Sequence, residues 1–73
     1  MIKNKRIAEG ISTLMIDIVG RLNDSIFAVQ DACPDAEFKT YRLAVAKVMA
    51  EVLLEVQNPL YAEHPDLKPK GLE

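Results

Sequence analysis

Ile7, Ile11, Leu14, Ile18, Leu22, Ile26, Val29 and Cys33 recur at steps of three and four residues. That spacing draws one apolar stripe along a helix, and it constrains the fold more than any other feature of the chain. The stripe predicts a first helix over about 7–31, with its start somewhere between Lys5 and Ser12. Met15, Ile16, Val19 and Phe27 widen it beyond a narrow seam, so this helix needs cover on more than one side. Gly10 falls near the start. Gly20 sits in the interior, where glycine costs about 1 kcal/mol relative to alanine. It reads as a point of close helix contact.

The stretch DACPDAEF interrupts the pattern. Pro34 suits the first position of a new helix, where its missing N–H costs nothing. Asp35 and Glu37 then fall in the first turn, where the helix dipole favours acids. The second helix is expected over about 34–57. Phe38, Tyr41, Val45, Val48, Val52 and Val56 form its main stripe, with Ala44, Met49, Leu53 and Leu60 beside it. Ala46 and Ala50 leave a thin side. Lys47, Glu51 and Glu55 share a solvated face. Asp17 four residues before Arg21 is a favourable helix pair.

A connection this short makes the two helices antiparallel neighbours. Facing residue numbers should then add to about 66, so that Ile26 faces Tyr41, Ile18 faces Val48, and Ile11 faces Glu55 or Val56. The basic cluster Lys3, Lys5 and Arg6 should land beside Glu51 and Glu55. Asn58 and Pro59 read as a cap and a first-turn residue, stopping the second helix. Residues 58–71 form a clasp, with one short helical turn at PLYAEH. Leu60, Tyr61 and Leu67 should close over the open end near Ile2 and Ile7.

Two helices cannot enclose a core between them. The expected fold is therefore all-α: an antiparallel two-helix hairpin with a short C-terminal helical turn, one domain over 1–73, dimerising into a four-helix bundle. Self-association is expected through Ile11, Met15, Ile18, Leu22, Val45, Met49, Val52 and Leu53. Tyr61, His64 and Leu67 are the residues expected to meet a foreign partner.

Composition narrows the rest. With 73 residues there is room for one small domain, and small domains need a staple, a metal or an oligomer for stability. Cys33 is the only cysteine, which excludes an intrachain disulfide and fits a reducing compartment. Beside Asp31, Asp35 and Glu37 it reads as a packed or loop cysteine, with a reactive thiol as the alternative. A 49% hydrophobic content is too high for disorder. Asp17 and Arg21 interrupt the longest apolar run well short of a membrane span, and Glu9 and Asp17 break any signal-peptide core. The chain is accordingly expected to be cytoplasmic. Leu72 and Glu73 resemble a vector scar.

Catalytic chemistry finds little support. His64 is the only histidine and lies outside both long helices. Glu63 beside it does not give the Glu-x-x-His spacing of a bundle metal site, and Asp17, Asp24, Glu51 and Glu55 read as solvated acids. Ser12, Thr13, Ser25 and Thr40 have no histidine nearby in sequence, and no glycine-rich phosphate loop is present. No cofactor or metal is expected. Nucleic acid calls for a basic face, whereas residues 11–67 carry four bases against nine acids and the whole chain has net charge −2.

The expected role is a non-enzymatic, self-associating module for protein–protein interaction, adaptor or regulatory work. Two alternatives stand beside it. One is a heteromeric subunit or chaperone-like binder of a larger protein's helix. The other is a nucleic-acid-associated regulator using the basic N-terminal arm.

Overall fold

A computed structural model describes residues 1–69. Those residues are all-helical, with no strand among them. Helix α1 spans Lys5–Ala32 and α2 spans Asp35–Glu51. A π-helical turn, Val52–Gln57, leads into α3, Asn58–Glu63, and a 3-10 turn follows at Pro65–Leu67.

Asn4 sets the start of α1. Its backbone is extended, and its side-chain oxygen accepts from the Ile7 N–H at 3.1 Å. That satisfies one of the four N–H groups left bare at a helix start. Cys33 ends the helix in an extended conformation, as the residue before a proline is sterically driven to adopt. Pro34 lies just outside α2 rather than in its first position, and its carbonyl accepts from Phe38 N at 3.1 Å. Asp35 and Glu37 occupy the first turn, and Asp35 pairs with Lys39 at 3.0 Å.

The predicted stop at Asn58 and Pro59 does not occur. Gln57 and Asn58 keep right-handed helical angles, and Asn58 makes no side-chain cap. The backbone passes Pro59 by widening. The Asn58 N–H donates to the Leu53 carbonyl, five residues back instead of four. In an ordinary α-helix the proline ring would collide with the carbonyl of Glu55, and no N–H would be there to bond it. The π turn moves that carbonyl aside. It also adds one residue to the helix, which turns everything after it by roughly 100°.

That rotation aims Leu60 and Tyr61 at the start of α1. Leu60 is fully buried and Tyr61 is 8% exposed, and they cluster with Ala8. Ile2, Ile11 and Leu67 pack around them. Leu60 and Tyr61 thus pack with Leu67 and Ile2, whereas Ile7 remains exposed. Part of the stretch assigned to the clasp, 70–71, and the residues Leu72 and Glu73 lie outside the described residues.

Two hydroxyl pairs link the long elements. Ser25 Oγ and Tyr41 Oη lie 2.7 Å apart near the connection, and Ser12 Oγ and Tyr61 Oη lie 2.8 Å apart further along α1. The numbers 25 and 41 add to 66, as in the register read from the turn, whereas 12 and 61 add to 73. Val45, 6% exposed, is the one further buried apolar residue among those described. The molecule measures 45 × 20 × 16 Å.

Candidate functional site: uncovered helix faces

The C-terminal segment is tied inward. His64 Nε2 donates to the Ile2 carbonyl at 2.6 Å, and Asp66 is salt-bridged to Lys5. The hydrogen bond from Lys5 holds the Asp66 carboxyl below its ordinary range, against a smaller opposing effect of desolvation. The same hydrogen bond, helped by the opposite charge, raises Lys5. Tyr61, His64 and Leu67, expected to face a foreign partner, are therefore turned toward α1. The physical reason is the rotation introduced by the π turn. The basic arm also differs from expectation: Lys5 meets Asp66, not Glu51 or Glu55, because the helix continues beyond the predicted stop.

Among the described residues no group of three or more His, Cys, Asp or Glu is placed to hold a metal ion. Asp17 and Arg21 pair at 3.2 Å on the solvent side, and Asp24, Glu51 and Glu55 are exposed. Cys33 is half-buried and free. No helix among the described residues is long and apolar enough to cross a membrane.

What the molecule does present is apolar surface. Ile7, Leu14, Ile16, Phe27, Leu43, Val48, Leu53 and Leu54 are each 44–59% exposed. Few residues expected to drive self-association are among them. Val45 is buried, and Ile11, Met15, Ile18, Leu22, Met49 and Val52 are half-buried; Leu53 alone of that set is exposed. Helical spacing orients a stripe without saying what covers it, and the seam between α1 and α2 takes part of this one. Ile16 and Phe27 were visible in the sequence as stripe-wideners. Leu43 and Leu54 gave no such signal, because they lie off both stripes of α2.

One side of the molecule is hollowed. Ile16 and Val19 of α1 form one wall of a groove of about 680 Å³. Ala46, Met49 and Ala50 of α2, with Leu53, form the other, and Gln57 and Pro69 close it. The alanines make it deep, since their short side chains leave room where larger ones would fill it. A shallower hollow of about 510 Å³ lies beside Ala36, Glu37, Thr40, Tyr41 and Ala44.

Compared with known proteins, the chain matches no family model, no curated protein and no solved structure. Function must be argued from these faces alone.

Proposed function

We propose that this chain is a non-enzymatic interaction module: a helical hairpin that pairs with a second copy into a four-helix bundle and serves as an adaptor or regulatory part. The observation that carries the reading is surface. The chain exposes 5293 Å² at a mass of 8.1 kDa. A compact monomer of that mass exposes about 4,500 Å². The excess, roughly 800 Å², equals one partner's share of a standard protein interface. Among the described residues it coincides with nine large apolar residues half in water, Met1 included, and four buried apolar ones.

Burial of that area in a second copy would contribute on the order of 20 kcal/mol per copy if all of it were apolar, before the costs of association. Light scattering at tens of micromolar tests the reading. A dimer or larger assembly is expected. A monomer with a sharp, cooperative thermal transition overturns it.

One observation favours a heteromeric variant of the same idea. Leu43 stands two positions before the buried Val45, so it lies about 200° around α2 and points away from α1. It is 59% exposed, and Leu54, further along the same arm, is 58% exposed. A helix apolar on all sides is normally an interior one. Purification with a companion helix from a larger protein, in place of the symmetric assembly, would select this variant.

A further inference from the structure

We infer that residues 1–4 and 64–68 form one lid over the open end of the hairpin, which lifts as a unit and bares the cluster of Ala8, Leu60 and Tyr61 while α1 and α2 stay paired. The inference goes beyond self-association and does not depend on it.

The lid has no backbone ladder. Among the described residues no backbone hydrogen bond joins the arm before α1 to the tail after α3. Leu67 N–H donates to the His64 carbonyl at 3.0 Å and Lys68 N–H to the Pro65 carbonyl at 3.2 Å, but these bonds close only the tail's own 3-10 turn. Each segment is anchored on the other instead. His64 Nε2 donates to the Ile2 carbonyl, and Asp66 is salt-bridged to Lys5 at the first position of α1. The Ile2 and Leu67 side chains, both half-buried, pack against the same cluster. Asn4 connects these anchors to the helix: its side chain caps Ile7 N–H, and its carbonyl accepts from Ala8 N–H at 2.9 Å.

This wiring makes the two segments interdependent. When the tail lifts, the Ile2 carbonyl loses the donor that fixes the arm. When the arm lifts, His64 loses its acceptor and the salt bridge loses its support. The ties are also light. Both side chains of the Lys5–Asp66 pair are more than half exposed, so water and salt screen it. Segments held by a few side-chain contacts open at lower free energy than packed helices do. Leu60 and Tyr61 belong to the sturdier part. They ride on α3, which continues from α2 through the π turn, and Tyr61 is tied to Ser12 at 2.8 Å. They stay beside α1 when the lid lifts. Ala8 and Leu60, fully buried under the closed lid, then meet water.

Native-state amide exchange of the full chain, followed against denaturant, tests the lid. In the wild type, Ala8, Leu67 and Lys68 should share one opening free energy with a shallow denaturant dependence, below the steeper opening of Ile18 and Val45. The decisive reading is taken at the end of the chain that carries no substitution. Leu67→Ala loosens the tail, and exchange at Ala8 should quicken about tenfold with it. Ile2→Ala loosens the arm, and Leu67 and Lys68 should quicken by a similar factor. If each substitution acts only on its own segment, arm and tail open separately and the lid is not one unit. If Ala8, Leu67 and Lys68 share the steep dependence of Ile18 and Val45, they open only with the whole molecule. Either result overturns the inference.

Discussion

Tyr61 and Tyr41 pose the same question at the residue scale and give different answers. Each phenol meets a serine hydroxyl of α1, but Ser12 is buried and has only Tyr61, whereas Ser25 also donates to the Leu22 carbonyl at 2.6 Å. Removing one partner of a buried hydrogen bond costs more than the bond itself is worth, because the other group loses water and gains nothing. Tyr61→Phe should therefore destabilise by about 1–2 kcal/mol, and Tyr41→Phe by less than about 1 kcal/mol, in denaturant titrations. Lys5 and Asp66 add a pH signature. Asp66 titrates below its ordinary value, so its contribution is present above that value and is lost as pH falls through the depressed one. Lys5 is raised, so its contribution is present below its ordinary value and is lost as pH rises through the raised one. Amide exchange at Leu67 and Lys68, compared between wild type and Asp66→Asn, isolates this pair from every other titrating group. The two proteins should differ near neutrality and converge at the acid end. An acid step of equal size in both would show that Asp66 does not hold the tail.

Elements differ in how far they could be read from the chain. The long stripe from Ile7 to Cys33 announced α1, and Pro34 announced the connection, because each depends on a few neighbouring residues. Asn4 was legible in principle as a cap, but an exposed asparagine four residues from the end carries little signal before its φ and ψ are known. The π turn was not legible. Asn58-Pro59 looks like a stop to any local rule, and only packing of Leu60 and Tyr61 on Ala8 gives the helix a reason to continue. The same non-local packing moved Tyr61, His64 and Leu67 from the surface assigned to a partner into contacts with α1. This account has a direct test. Leu54 is exposed, so deleting it removes the extra residue without removing a buried contact. The helix then returns to ordinary bonding in the same phase, but Pro59 meets the carbonyl four residues behind it, at a cost of about 3 kcal/mol. Adding Pro59→Ala to the deletion should recover most of that loss, whereas Pro59→Ala alone should change stability little. If deletion of Leu54 is harmless by itself, the proline does not cause the π turn.

For the whole molecule, the balance is between a very small core and a large uncovered surface. Four buried apolar residues among those described are few for any chain expected to fold alone, and small domains without disulfide or metal have little stability in hand. If a second copy supplies the missing burial, folding and association are one equilibrium, and the melting temperature must depend on concentration. A tenfold rise in chain concentration shifts a dimer's apparent stability by about 1.4 kcal/mol. For two chains melting together that corresponds to an increase of about 3–5 °C in Tm. Scanning from about 5 to 500 µM should therefore move the transition upward by about 6–10 °C. A wild-type transition fixed across that range would mean that α1, α2 and the clasp hold one another without help. The uncovered leucines would then have to be explained by a different partner.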